Sequence, residues 1–263
     1  MKDTGFKDSA EFIRDNLRLK TYPVAVRFLT VKEDFPEQAR RPSKVLGKKI
    51  TICQGVTMAR NYGWTVGLAR QDVNCVPAAI VFGFSDAADP PAALSNLFCG
   101  AAFAAGQELA AREVASMSRF ENGQIAGILL APVQKASFDP DTVLIYANPA
   151  QVMRLAQSWS YSTGERCSGH CGGKVECDEY LISPYKAQSA RIVIPGNGER
   201  IFAGTQDDEI VFAAPMRMLP ELARGLKEAG RAIGARYPVT PYQNFEAEFP
   251  ESYKLLGRDI GIV

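Results

Sequence analysis

The chain has 263 residues, of which 46% are hydrophobic and 22% are charged, a composition typical of a globular protein with a sizeable core and not of a disordered or collagen-like chain. Thirty lysines and arginines against 29 acidic residues leave a net charge of +1. Because no overall field is available to hold a polyanion, we expect neither a nucleic acid nor an anionic membrane as a partner.

The N-terminal segment predicts a cytoplasmic protein. Acidic residues interrupt any apolar run in residues 1–12, so the segment resembles neither a signal peptide nor a transit peptide. The longest weakly polar stretch, residues 97–111, is too short and too polar to span a bilayer. We therefore expect no membrane segment, and we expect the cysteines to stay reduced.

The first half of the chain alternates helix and strand signals. Apolar residues at helical spacing follow Asp8 and Ser9, either of which can cap a helix. Apolar runs and the positions of proline and glycine predict the elements that follow. They are a strand at 24–28, a loop at 30–49, a helix at 55–61, an apolar run at 64–68, a strand at 80–84 and one or two helices within 92–117.

A basic cluster lies in the predicted loop and consists of Arg40, Arg41, Lys44, Lys48 and Lys49. Proline and glycine residues accompany it, and no aromatic residue is interleaved for base stacking. The pattern is typical of a solvated loop. The alternative is a docking surface for an acidic partner or a phosphate, since clustered charge steers association even when the net charge is small.

The second half contains a short internal similarity between residues 144–149 and 210–215. Both are apolar strand patterns that end in proline and precede a helical pattern, and proline suits the first position of a helix. Residues 128–132 end in the same way. We predict a mixed α/β fold, with helices packed on a mixed sheet and two related strand–proline–helix units, or local convergence in place of a repeat. The chain forms one domain, 1–263, with 1–120 and 121–263 as candidate subdomains.

Two polar segments of the second half are interpreted as turns. Residues 205–208 separate apolar segments at 200–204 and 209–213, which predicts a hairpin. The alternative is a divalent cation site at Asp207, Asp208 and Glu209, but this needs further oxygen ligands. Residues 196–198 lack the remaining residues of a phosphate-binding loop and are interpreted as a tight turn.

Four blocks of the sequence, 53–60, 74–79, 130–141 and 202–209, together resemble a known family. It is the prokaryotic family called domain of unknown function 169, and the likeness runs from about residue 19 to residue 230. The family carries no assigned activity. The resemblance implies an intracellular bacterial or archaeal protein, often from anaerobes, and implies that Cys53 and Cys75 belong to a shared pattern.

Six cysteines are too few for a disulfide scaffold, so each is either a packing residue or a ligand. Three of them fall within eleven residues on a glycine-rich segment, where backbone N–H groups can approach cluster sulfides. Such thiolates are suitable ligands for an iron–sulfur cluster. Zinc is the alternative, because structural zinc sites usually have two closely spaced pairs of cysteine or histidine ligands and this sequence has only one such pair. The candidate metal ligands are Cys53, Cys75, Cys99, Cys167, Cys171 and Cys177.

Three functional hypotheses follow from these residues. The first is an iron–sulfur protein of electron transfer or redox metabolism, in which Arg60, Arg70 or the basic loop meets a redox partner protein or a small anionic metabolite. The second is a module that binds a small metabolite, with structural or zinc-binding cysteines. The third is an enzyme with a cysteine nucleophile near an arginine or His170, the single histidine. We also expect a homo-oligomer.

Overall fold

The computed structural model describes residues 3–239 and 249–262 and contains one six-stranded sheet with helices on both faces. The strands are β1 (Val24–Leu29), β2 (Val66–Leu68), β3 (Gly127–Pro132), β4 (Thr142–Ala147), β5 (Arg191–Val193) and β6 (Ile210–Pro215). The helices are α1 (Asp3–Leu17), α2 (Pro42–Val45), α3 (Ile52–Tyr62), α4 (Val76–Val81), α5 (Pro90–Gly100), α6 (Gln107–Ser116), α7 (Pro149–Thr163), α8 (Ser183–Ala187), α9 (Asn197–Ala203), α10 (Leu219–Glu228) and α11 (Glu251–Asp259).

The sheet confirms the predicted mixed α/β fold and corrects one detail of it. The strand order is β2-β3-β1-β4-β6-β5, and all five pairings between these strands are antiparallel. A sheet of mixed strand directions was expected. Short apolar runs show where a strand lies but carry no information about its direction, which is decided by the connections.

An approximate two-fold axis between β1 and β4 relates two three-stranded units. The first unit is β1, β2 and β3, and the second is β4, β5 and β6. In both units the third strand lies in the middle, and its terminal proline pairs with the first residue of the first strand. The matching registers are Val24↔Pro132 with Thr142↔Pro215, and Val66↔Leu130 with Arg191↔Ala213. The two candidate subdomains therefore share one sheet.

The units related by this axis differ from the pair that the sequence suggested. Because β4 and β6 are antiparallel neighbours, Pro149, which follows β4, and Pro215, which ends β6, lie at opposite ends of the sheet. The structural counterpart of Pro215 is Pro132. Each of these two prolines ends a strand and is followed by a 3-10 turn, Val133–Lys135 after β3 and Met216–Met218 after β6. Pro149 alone of the three begins a long helix.

Side chains of each strand alternate between two separate hydrophobic cores, as the pleat of a strand requires. In β4, for example, Val143 and Ile145 enter the core beneath α1, α7 and α10, whereas Leu144 and Tyr146 enter the core beneath α3, α4 and α5. The second core also receives a π-helical turn, Asp178–Ile182, which leads directly into α8.

Several local predictions are wrong. Helix α2 lies within the predicted loop at 30–49, and the residues predicted as a tight turn at 196–198 are the cap and first two residues of α9. Residues 80–84 overlap the end of α4 and are not a strand, and residues 200–204 lie mainly in α9 and are not a hairpin arm. A run of four or five apolar residues does not distinguish a strand from a buried helical turn. A further error concerns Asp8 and Ser9, which lie inside α1 because that helix begins at Asp3. Among the described residues, no helix is long and apolar enough to cross a membrane.

Candidate functional site

A cavity of about 510 Å³ opens where four helical segments begin. Each three-stranded unit contributes the helix that precedes its short strand and the helix that follows it. The first unit supplies α3 and α4, and the second supplies the π-helical turn and α9. The end of α5 and Phe103 complete the wall. The cavity therefore lies between the two structural repeats, where pockets for small molecules often occur.

Three cysteines from three distant parts of the chain line this cavity: Cys53, Cys75 and Cys177. Cys53 lies in the first turn of α3, Cys75 is the residue that caps α4, and Cys177 immediately precedes the π-helical turn. Each thus stands at the start of a helical segment. The structure brings together the two cysteines that the family resemblance joined, and adds Cys177 to them.

The other three candidate ligands lie elsewhere. Cys99 packs against the core on the cavity side without lining the cavity, and Cys167 packs against the opposite core. Cys171 is exposed and accepts a hydrogen bond from the backbone N–H of Ile194 at 3.3 Å. Within residues 3–239 and 249–262, no group of three or more histidine, cysteine or acidic side chains is arranged to hold a metal ion.

The start of α3 is held by a reciprocal cap that also orients Cys53. The Thr51 hydroxyl accepts a hydrogen bond from the Gln54 backbone N–H at 3.1 Å, and the Gln54 side chain accepts one from the Thr51 N–H at 2.9 Å. The Cys53 Sγ lies 3.0 Å from Thr51 Oγ1 and donates to the Gly198 carbonyl at 3.8 Å. The Thr-x-x-Gln spacing is a sequence signal for this cap, and it places the helix start three residues before the predicted one.

All three cavity thiols are protonated at neutral pH. Burial raises the pKa of Cys53 to about 12, and the nearby charge of Glu199 contributes in the same direction. Burial followed by the charge of Glu199 also raises the pKa of Cys177. The pKa of Cys75 is raised by burial as well, although the Ala78 backbone N–H opposes the effect. A helix start favours a thiolate, but here desolvation is the larger effect.

Glu199 is the acidic group of the cavity and was not predicted from the sequence. Its side chain is only 3% exposed, and it accepts a hydrogen bond from the Tyr180 hydroxyl at 3.1 Å. Burial raises the pKa of Glu199, whereas hydrogen bonds from Tyr180 and from backbone N–H groups lower it. Glu199 is the third residue after Gly196, the spacing of a helix-capping acid, and this pattern could have indicated its position.

A series of buried polar side chains extends from Glu199 into the interior of the protein. The Tyr180 ring packs edge-on against the Tyr146 ring, with centroids 6.4 Å apart, and the Arg60 guanidinium lies over the Tyr146 ring at 4.0 Å. Arg60 forms a buried two-point ion pair with Glu209, with Nη1–Oε1 at 2.6 Å and Nη2–Oε2 at 3.0 Å. Arg60, predicted from the sequence as a binding residue for a cofactor or an anionic metabolite, therefore lies beneath the cavity in an ion pair and does not line the cavity wall.

The remaining charged candidates are also engaged in pairs outside the cavity. Arg70 is exposed and pairs with Asp86. In the acidic segment that could have held a divalent cation, Glu209 is taken by Arg60 and Asp207 lies 3.5 Å from Arg200. These charged side chains therefore form ion pairs within the protein.

The basic cluster is divided by the fold. Arg41 is buried in an ion pair with Asp72, and Arg40 stacks over the Trp64 ring at 4.2 Å. Lys44, Lys48 and Lys49 are exposed. The cluster is therefore partly structural and only partly a solvated surface.

The glycine-rich segment that carries Cys171 forms one edge of the cavity through Lys174. The Lys174 ammonium lies 2.5 Å from Glu113 and stands over the rings of Phe98 and Phe103 at 4.9 and 5.6 Å. The start of α9 approaches the same segment closely. A Cβ on Gly196 would lie 2.8 Å from the carbonyl carbon of Gly173, so only glycine fits there.

Comparison with known proteins supports a family assignment. The family model of domain of unknown function 169, described as "Uncharacterised ArCR", matches residues 13–225. The chain belongs to this family. A similar relative is "Uncharacterized protein MJ0308" from Methanocaldococcus jannaschii, which is 22% identical over 222 residues, or 84% of this chain and 93% of that protein. No solved structure matches the chain. The family match covers all four helical starts of the cavity.

Proposed function

We propose that this member of the family is a binding protein for a small molecule, which it holds in the cavity between its two structural repeats. The observation that carries the proposal is the cavity itself. Its volume of about 510 Å³ suits a small organic ligand, and its wall is mostly apolar with a few polar groups converging from four segments. The polar groups that face it include three thiols, Glu199 and Lys174.

The arrangement of exposed side chains supports a ligand that enters from solvent. Val76, Phe103 and Phe202 all line the cavity, yet each is about half exposed. Large apolar residues at the rim of a concave site supply binding energy when a ligand covers them. The protonated state of the thiols, in contrast, disfavours the cysteine-nucleophile hypothesis, because the thiolate is the reactive form.

A ligand-detected NMR screen with a library of aromatic and aliphatic fragments tests the proposal. Replacing Val76 by tryptophan fills the mouth of the cavity from an exposed position, and Val31→Trp makes the same change at an exposed site outside it. We expect fragment signals that vanish with Val76→Trp and persist with Val31→Trp. A screen without hits, or hits that survive Val76→Trp, would overturn the proposal.

A soft metal centre is the second candidate, and it is favoured by the convergence of Cys53, Cys75 and Cys177 on one cavity. Thiols from three distant segments do not meet through local structure. An iron–sulfur cluster would require these thiols to lose their protons on binding, and zinc remains the alternative metal. In this function the cluster would serve electron transfer or a redox reaction with a partner protein.

Iron and sulfide analysis of protein purified without oxygen tests this candidate. Broad visible absorption, with iron and sulfide bound in the wild type and reduced in both Cys53→Ala and Cys75→Ala, would support it. Cys171→Ala is the matched control, because that cysteine is exposed and outside the cavity. Cavity variants that retain the wild-type iron and sulfide content, or a wild type without either, would end it.

A further inference from the structure

Glu199 differs from most other buried acidic residues in having no cationic partner. Asp72 pairs with Arg41, Glu209 with Arg60, and Glu179 with Arg191. In the part of the chain that the structure describes, no lysine, arginine or histidine forms an ion pair with Glu199. Burial raises the pKa of Glu199 and the nearby charge of Arg200 acts to lower it, but the Arg200 guanidinium itself donates to the Gln206 carbonyl at 2.7 Å. Its side chain faces the cavity and is held by the Tyr180 hydroxyl and by backbone N–H groups.

The one cation on the cavity wall does not compensate Glu199. The Lys174 ammonium is committed to Glu113 at 2.5 Å and to the faces of two phenylalanine rings. A carboxylate removed from water without a counter-charge costs free energy, and a ligand that supplies the missing positive charge recovers part of that cost.

The rest of the wall suits a weakly hydrated cation. Phe202 presents an aromatic ring at the rim, and the three neutral thiols present polarisable sulfur, while Lys174 already stands over the rings of Phe98 and Phe103. Aromatic rings attract organic ammonium groups through their negative faces, while the apolar surface favours a hydrocarbon frame. The stacking of Lys174 over Phe98 and Phe103 shows that an ammonium is compatible with this wall.

We infer that the cavity takes an organic ammonium ligand, an apolar or aromatic frame that carries a protonated amine, with the amine at the Glu199 carboxylate. The inference rests on the proposed small-molecule function and names its ligand class. It departs from the small anionic metabolite that the sequence suggested, because an anion would meet the Glu199 carboxylate while the two nearby cations of the described chain are committed elsewhere, Lys174 to Glu113 and Arg200 to the Gln206 carbonyl.

Three probes of matched shape test the inference: 4-phenylbutylamine, 4-phenylbutanol and 4-phenylbutyrate. Calorimetry at pH 7.5 on the unmutated protein should give at least a tenfold lower Kd for the amine than for the alcohol, and the weakest binding for the carboxylate. Glu199→Gln keeps a hydrogen-bond acceptor for Tyr180 but loses the charge, and should bring the Kd of the amine up to that of the alcohol. Glu165→Gln, an exposed change outside the cavity, should leave all three values unchanged.

The outcomes separate the two proposals. An alcohol that binds as tightly as the amine, or an amine affinity that survives in folded Glu199→Gln, overturns the ammonium ligand and leaves small-molecule binding in place. If Glu199→Gln does not fold, the comparison of the three probes on the unmutated protein still decides the matter. Failure of all three probes together with a fragment screen that yields no hits overturns both proposals.

Discussion

The cavity cysteines and the cysteines of the glycine-rich segment show that distance along the chain is a poor guide to proximity in space. Cys53, Cys75 and Cys177 come from distant segments and share one wall. Cys167 and Cys171, only a few residues from Cys177, lie against the opposite core and in solvent. A compact cysteine run predicted a cluster, but the backbone crosses from one side of the sheet to the other within it.

The different positions of Cys171 and Cys177 are explained by hydrogen bonds to two acidic residues that follow the glycine-rich segment. Glu176 accepts a hydrogen bond from the backbone N–H of Gly173, and Asp178 accepts one from the backbone N–H of Ser118 at 3.0 Å. These hydrogen bonds fix the C-terminal end of the segment, where Cys177 is buried in the core, whereas Cys171 lies outside them and is exposed to solvent. Four predictions test this contrast between the two groups of thiols.

The largest expected contrast is in alkylation rate. With its pKa raised to about 12, the thiol of Cys53 is ionised in about one molecule in 10⁴ at pH 8, against roughly one in four for a free cysteine. Iodoacetamide should therefore modify Cys53 about a thousandfold more slowly than the same cysteine in urea, and Cys171 should react well ahead of it. Peptide mass spectrometry against time measures both rates. Equal rates for Cys53 in native and unfolded protein would refute the buried cavity thiol.

The second prediction concerns pH and the anchoring carboxyls. Burial raises the pKa of Glu176 to about 7 and that of Asp178 to about 8, so folding favours their protonated forms. The unfolded chain, with ordinary pKa values near 4, binds fewer protons between about pH 4 and pH 8. The free energy of unfolding contributed by these groups therefore decreases as pH rises through that range.

Urea unfolding at pH 5, 6.5 and 8 measures this effect. Glu176→Gln does not titrate and should reduce the loss of stability between pH 5 and pH 8 by on the order of 2 kcal/mol. Glu165→Gln, at an exposed site, should follow the wild type. The same pH slope in Glu176→Gln and the wild type would show that Glu176 does not keep its proton in the folded state.

The third prediction compares serine at a cavity position and at the exposed position. Cys177 is 5% exposed and belongs to the apolar core, so Cys177→Ser buries a hydroxyl and should cost about 2 kcal/mol of stability. Cys171→Ser should change stability by no more than about 0.5 kcal/mol, because its side chain is in solvent. Urea midpoints of the two variants provide the measurement, and equal shifts would contradict the separation of the two thiols.

The smallest expected contrast is between alanine and serine at Cys53. Cys53→Ala removes one small group and should cost about 1 kcal/mol. Cys53→Ser should cost a similar amount, because its hydroxyl can bond to Thr51 Oγ1, which lies 3.0 Å from the native sulfur. Thermal unfolding of the two variants measures the difference. A serine variant much less stable than the alanine variant would mean that Thr51 Oγ1 does not bond to the hydroxyl.

Local sequence signals were sufficient to predict the elements in which those signals are strongest. Strands β1, β4 and β6 are long apolar runs bounded by turn residues, and all three were predicted near their observed positions, as were α5 and α6 within the alanine-rich stretch. The resemblance of four sequence blocks was sufficient to identify the family. These features depend on residues close together in the chain, so the sequence contains them directly.

The pairing of the strands and the composition of the cavity depend on tertiary contacts. The antiparallel order and the two-fold axis between β1 and β4 depend on how the connections return, and an internal match of six residues selected the wrong pair of strands. Glu199 becomes a site residue because α9 packs against α3, where Thr57 donates to the Ala203 carbonyl at 2.9 Å. Contacts across well over a hundred residues have no periodicity in the sequence, and burial, which raises the pKa of the cavity thiols, exists only after those contacts form.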